Sequence, residues 1–164
     1  MRMAKPDVHL TRVTLGVAVA LLAVGAALGW GTAQLIGPAS APASSAALDA
    51  ARRDVVDLMS YDYRTIDSDL STALSHTVGG FHDTMASAMQ AHRTTFVRLR
   101  SVSTATVTAA AVESATSSSA TVLLFVDQTV RNSRTAGAET DHTRVVVTMT
   151  RSGGAWLVSD LELT

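Results

Sequence analysis

Ala120-Thr121-Val122-Leu123-Leu124-Phe125-Val126-Asp127-Gln128-Thr129-Val130 is a β-branched, apolar run. Such residues suit a pleated, half-buried surface. Two similar runs follow. Thr143–Thr150 places Val145, Val147 and Met149 on one face, and Trp156–Leu163 comes last. A weaker run precedes them: Val102–Val112 is rich in Thr, Val and Ala, its alternation broken by small residues. The punctuation suits hairpins. Thr116–Ser119 is a polar turn, Asn132–Asp141 a longer polar loop containing Gly137, and Ser152-Gly153-Gly154 a tight turn. The four runs predict an antiparallel meander.

Upstream of Arg100 the period changes. Leu48, Ala51, Val55, Leu58 and Met59 recur at three- and four-residue spacing, which is one face of an amphipathic helix. Arg52, Arg53, Asp54 and Asp57 are assigned to the opposite face. A shorter helix is predicted over 68–78, with Leu70 and Leu74 inward and Gly79-Gly80 ending it. A third is predicted over 81–99, with Phe81, Met85, Met89 and Phe96 along its apolar stripe. Helices first and strands after argue an α+β domain with about three helices on one face of a curved four-stranded sheet.

Before residue 37 the chain has a different character. From Val13 to Trp30 every residue except Thr14 is apolar or Gly, and the uncharged run continues through Ile36. A helix of about 20 apolar residues crosses a hydrocarbon core of roughly 30 Å. Arg2, Lys5 and Arg12 precede this run, and no Lys or Arg follows until Arg52. The positive-inside bias then gives a cytoplasmic tail over 1–12, a transmembrane helix over 13–36 and an extracytoplasmic remainder. Ala41-Pro42-Ala43 looks like a signal-peptidase site. The apolar run is longer than the apolar core of a signal peptide, so a retained anchor is expected. Residues 37–47, small and with two prolines, read as a linker, and 48–164 as the outer domain. The expected localisation is a single-pass cell-membrane protein with its domain outside.

Composition narrows the chemistry. There is no Cys, hence no disulfide framework and no thiolate or zinc–thiolate site. The outer domain carries slightly more acid than base, which offers no footprint for nucleic acid.

Several short stretches carry a resemblance. Leu58-Met59-Ser60-Tyr61-Asp62-Tyr63 follows the first helix, and Gly79-Gly80-Phe81 opens the long one. Ala120-Thr121-Val122-Leu123 leads into Val126-Asp127-Gln128-Thr129-Val130, and Trp156-Leu157-Val158-Ser159-Asp160-Leu161 closes the chain. The order of elements is similar to the cone-shaped fold of nuclear transport factor 2. With the anchor, the whole resembles the Mce-associated membrane proteins of actinobacteria. That resemblance implies an accessory role beside Mce complexes, which move lipids or sterols across the envelope. It implies no catalytic residues and no cofactor.

Candidate pocket or interface residues are Tyr61, Tyr63, Phe81, Asp127 and Trp156. Tyr61-Asp62-Tyr63 could present acid–base groups to a pocket. Tyrosines at the end of a core-facing helix more commonly bury the ring and leave the hydroxyl at the rim. Asp127 interrupts an apolar strand, but strand period puts it opposite Val126, where a paired structural role is favoured over a general base. Gln128-Thr129 beside it suit hydrogen bonding to a neighbouring strand or subunit. His9, His76, His82, His92 and His142 lack metal-ligand spacing and read as scattered surface residues. Trp156 is expected in the core or at its rim. Leu157 and Leu161 fall on the face opposite Trp156, which suggests that a partner covers part of the outer sheet. The functional expectation is a non-enzymatic scaffold subunit of an Mce-type lipid or sterol transporter. Its partners would be the membrane, Mce proteins and a lipid or sterol. Alternatives are a lipid carrier with an apolar cone cavity, and a scaffold of a type IV secretion or conjugation-like system.

Overall fold

In strand β3 (Ser119–Arg131), Ala120, Val122, Leu124, Val126 and Gln128 are buried while the residues between them are not. This strict alternation decides which side of the sheet the helices take. The structure is a computed structural model that describes residues 41–164. The expected tail, the membrane span and the start of the linker lie outside the described residues. Among the described residues no helix is long and apolar enough to cross a membrane.

β3 is central in a five-stranded sheet of order β1-β2-β3-β4-β5, antiparallel throughout. The others are β1 (Tyr61–Asp62), β2 (Val102–Ala115), β4 (Glu139–Ser152) and β5 (Ala155–Leu163). The four long strands are those expected. β1 is a correction to the four-stranded plan: it pairs Tyr61 with Ser103 and Asp62 with Val102. A strand of 2 residues has no periodicity to read.

Three irregularities shape the sheet. β2 shifts register between Val107 and Ala109, and again between Val112 and Ser114. Each extra residue bends the strand, so the sheet curves around its inner face. β5 shifts opposite Thr148 and Met149: Met149 pairs with Val158 and Thr148 with Asp160, leaving Ser159 over. The alternation changes phase there. Trp156, Val158 and Leu161 consequently all point inward. Leu161 was expected on the outer face, and the bulge corrects that. The β4–β5 hairpin turns on Gly153 (φ +57°) and Gly154 (φ +88°), and a two-residue turn of this kind requires positive φ at both positions.

Helices α1 (Ala41–Met59), α2 (Ile66–Ser75) and α3 (Gly79–Leu99) complete the described chain. α1 starts inside the expected linker, so residues 41–47 are helical. Pro is tolerated in a first helical turn, where an N–H would lack a partner anyway. Ala47, Ala50, Ala51, Val55 and Leu58 of α1 are buried in one core with Val122, Leu124, Val145, Val147 and Met149. Each fully buried Val or Leu contributes about 1.5–3 kcal/mol. Small residues on this face let the helix lie close to the sheet, and Arg52 Nη2 donates to the Ala110 carbonyl at 3.3 Å.

α2 ends earlier than expected, because residues 76–78 join β5 instead. Val158 N–H donates to the His76 carbonyl at 2.8 Å, and Val78 N–H to the Val158 carbonyl at 2.9 Å. Gly79 (φ +69°) therefore begins α3 and does not end α2. α3 stops at Arg100, in the left-handed conformation at φ 51°. Ser101 N–H reaches the Phe96 carbonyl at 3.0 Å and Arg100 N–H the Val97 carbonyl at 3.1 Å, which satisfies two terminal carbonyls.

Candidate functional site

The helices and the sheet leave a cleft whose back wall is apolar. Leu70, Met85, Met89 and Phe96 line a chamber of about 30 Å³, together with Tyr61 and Gln128. Its mouth is a polar cleft of about 320 Å³, walled by Asp57, Ser60, Asp62, Asp69, Thr72 and Ser103. Tyr61 belongs to both. β1 pairing holds its backbone, and its ring packs on Phe96 with centroids 4.5 Å apart. Burial pushes the phenol up to about 12, so the group at the mouth is a neutral hydroxyl.

Polar groups around the cleft are tightly held. Asp62 is gripped by Arg64 through side-chain and backbone hydrogen bonds, and these hold its carboxyl down to about 2. Asp69 accepts from Asp62 N–H at 2.8 Å and from the Thr65 hydroxyl at 2.9 Å. Gln128, on the inner row of β3, donates its amide to the Met59 carbonyl at 3.1 Å and to Ser103 Oγ at 3.0 Å.

Behind the cleft lies an ionic cluster. Asp54 is 0 % exposed. This corrects its expected place on the polar face: position 54 follows Ala47, Ala50 and Ala51 by helical spacing and precedes Leu58. Its Oδ1 meets Arg53 at 2.9 Å and His76 Nδ1 at 3.2 Å, while His76 Nε2 meets Asp57 at 3.0 Å. Burial pushes the Asp54 carboxyl up, opposed by His76 and Arg53. Both nitrogens of His76 face carboxylates, so neither is open to a substrate. The cluster ties α1 to the end of α2 and, through the His76 carbonyl, to β5. His76 is thus not a scattered surface residue. Nor is His82, whose Nδ1 sits 2.9 Å from the Thr77 hydroxyl.

The outer sheet face carries a second concavity. Thr108, Phe125, Asp127, His142, Arg144 and Thr164 line a shallow groove of about 530 Å³. Phe125, among its lining residues, is 49 % exposed. Asp127, outward as the strand period requires, bonds His142 Nδ1 at 2.6 Å, and this hydrogen bond raises the imidazole above its ordinary value. Arg144 Nε donates to Thr164 Oγ1 at 2.6 Å.

The five residues singled out in the sequence are therefore dispersed. Tyr61 lines the cleft and Asp127 the outer groove. Trp156 is core at 7 % exposure, and Phe81 is partly buried against that core. Tyr63 lies under the Arg64 guanidinium, 5.7 Å from its ring centre. The sequence reading missed Asp57 and Asp69 as cleft residues and Phe125 as an exposed aromatic. The signal was there: extending the alternation from Val126 places Gln128 inward and Phe125 outward. Among the described residues no group of His, Asp and Glu is placed to hold a metal ion.

Comparison with known proteins extends the picture. The chain is 32% identical over 145 residues to the uncharacterized protein Rv1362c of Mycobacterium tuberculosis H37Rv; the match covers 85% of this chain and 65% of that protein. It thus spans just under two thirds of that relative's length. It is 33% identical over 155 residues to outer membrane protein Rv1973 of the same organism, covering 90% and 91% of the two chains. Among solved structures, the periplasmic domain of DotI superposes with a TM-score of 0.62 at 14% identity, over 83% of this chain and 99% of that one. CagV from Helicobacter pylori, a VirB8 homolog of a type IV secretion system, gives 0.58 at 12% identity, over 73% and 97%. These likenesses establish the fold: helices on a curved antiparallel sheet, of the nuclear transport factor 2 type. The sequence relationship goes further than the fold, because one family matches from residue 8 to residue 164, and the chain belongs to it: the family described as uncharacterized protein Rv1363c/MT1408-like.

Proposed function

We propose that the chain is a non-enzymatic scaffold subunit of a multi-subunit assembly in the cell envelope. The observation that carries this reading is where open surface lies. The inner chamber, about 30 Å³, has room for a couple of waters. A lipid carrier needs several hundred. The outer sheet face instead offers a broad groove with a half-exposed Phe125 and a rim of His142, Asp127 and Arg144. An exposed aromatic among polar and charged side chains is a common feature of protein interfaces. The likeness to DotI and CagV supports a scaffold of the type IV secretion kind, built from an anchor and a small envelope domain. The anchor itself is expected from Val13 to Ile36. The resemblance to Mce-associated proteins nominates a lipid or sterol transporter as the assembly, so the partner's identity is what the experiment reads.

That experiment compares Phe125→Glu with Phe125→Leu in the tagged full-length chain, purified from native membranes. Phe125→Glu loses its co-purifying subunits and Phe125→Leu retains them. Mce proteins among those subunits support the transporter, and secretion-type proteins the other scaffold. Retention of all partners by Phe125→Glu, or purification of the native chain with lipid alone, refutes the scaffold reading.

A further inference from the structure

We propose that the outer groove receives a segment of a partner protein that carries an acidic side chain beside an apolar one, the acid on Arg144 and the apolar group against Phe125. This names the chemistry of the partner and rests on the docking reading above. The sheet register lays out the floor. Ala109, Phe125 and Arg144 stand opposite one another on β2, β3 and β4, and all three line the groove. Directly opposed residues lie on the same face of a sheet. Phe125 is therefore flanked by an alanine methyl on one side and a guanidinium on the other. β2 shifts register beside that alanine, and the extra residue, Thr108, turns its hydroxyl to the Phe125 carbonyl at 3.1 Å. Both β2 side chains at this point are small, and the ring stays half exposed. On the next outward row Leu123 stands between Ala111 and Val146, and none of the three is buried. Apolar surface thus continues past the groove.

The charges supply the second argument. Asp127 and His142 satisfy each other at 2.6 Å. Arg144 has no such partner. Among the described residues its side chain makes one contact, Nε to Thr164 Oγ1 at 2.6 Å, and no ion pair. Glu162, opposite Val146 on the next row, is not paired with it. The Nη groups are left to donate outward, and a guanidinium edge matches a carboxylate in bidentate fashion.

Spacing joins the two. Neighbouring strands lie about 4.8 Å apart, so Phe125 and Arg144 address groups close together on the partner. Residues three or four apart on one face of a helix, about 5–6 Å, meet that spacing. A small aromatic acid carries the same two groups, but only a longer segment also covers Leu123 and Val146.

The test turns Arg144 into an amine. Lys5 is the sole Lys of the chain, so Arg144→Lys puts the one lysine amine of residues 41–164 in the groove. A water-soluble carbodiimide joins an amine to a carboxylate in contact with it, the reagent taking up the water that amide formation releases. The tagged full-length chain is treated in native membranes and purified, and cross-linked peptides are read by mass spectrometry. The expected product is an amide from position 144 to an Asp or Glu of a co-purifying envelope protein, with an aliphatic or aromatic residue within about four positions of that acid. It should be at least about tenfold more abundant than from Ser87→Lys on the exposed side of α3. Arg144→Gln, which drops the charge, should retain about tenfold less of the same subunit. No intermolecular adduct above the Ser87→Lys level, in a chain that still co-purifies with its assembly, overturns the proposal. An adduct to a second copy of this chain, or to a small acid, overturns it by naming a different occupant. Phe125→Glu separates the two claims. If it loses the subunits while Arg144→Gln keeps them all, docking at the groove stands and the acidic partner falls. If Phe125→Glu keeps them, docking itself falls. Should Arg144→Lys fail to fold, retention by Arg144→Gln decides.

Discussion

Tyr61→Phe removes one hydroxyl and leaves the ring on Phe96, so it isolates the phenol. In the folded chain burial raises this phenol from 10.0 to about 12. The folded state therefore holds the proton more tightly than the unfolded one. The stabilising contribution is fully present below pH 10 and falls as pH rises from 10 towards 12. Two pKa units correspond to about 2.7 kcal/mol, of which about 2 kcal/mol is lost by pH 11.5. The background is quiet in this window, because the sequence has 2 Tyr and its sole Lys is Lys5. Arginines keep their protons throughout. The assay is urea unfolding at pH 9, 10.5 and 11.5 for the native chain and for Tyr61→Phe. The native chain should lose about 2 kcal/mol more than the variant between the first and last pH. Equal losses would show a solvated phenol and refute the placement of Tyr61 in the cleft wall.

Two further outcomes follow from the core and the outer face. Trp156→Ala should cost about 3–5 kcal/mol in chemical denaturation, because the ring is buried in the core beside Val158 and Leu161. A cost below about 1 kcal/mol would put the ring at an exposed surface. His142 gains its proton affinity from Asp127, so the pair's contribution is full below the unfolded imidazole value of 6.5 and is lost as pH rises through the higher folded one. Asp127→Asn should flatten stability between pH 6 and 8 relative to the native chain, and an unchanged pH profile would show the pair is not formed in solution. Co-purifying subunits should be retained by Asp127→Asn, since a solvated rim carboxylate contributes little beside the Phe125 anchor.

Strand period carried most of the fold. β3 reads as it folds, because a central strand with one buried face must alternate, and the same alternation put Asp127 outward. The reading failed where geometry breaks a period. One extra residue at Ser159 turned Leu161 from the outer face to the core. Gly79-Gly80 looked like a helix end, yet Gly79, at positive φ, opens α3, because residues 76–78 form a bridge to Val158 that no local pattern announces. Asp54 was misplaced for another reason. Its spacing from Ala50, Ala51 and Leu58 puts it on the core face, and its chemistry alone assigned it to water. The partner that makes its burial tolerable, His76, comes from the next helix's end. The cleft was legible only in part. Asp57 and Asp69 lie on separate helices, and which of their oxygens remain available depends on packing that sequence spacing does not encode.

The central proposal is that the outer sheet face around Phe125 docks a protein of an envelope assembly. It is tested most directly by a photocrosslinking amino acid at position 125 of the full-length chain in native membranes, with position 87 on exposed α3 surface as the reference. The account predicts strong adducts from position 125 to a protein of one envelope assembly and few from position 87. Equal labelling from the two positions, or no protein adduct at 125 in a chain that still co-purifies with its assembly, would contradict it.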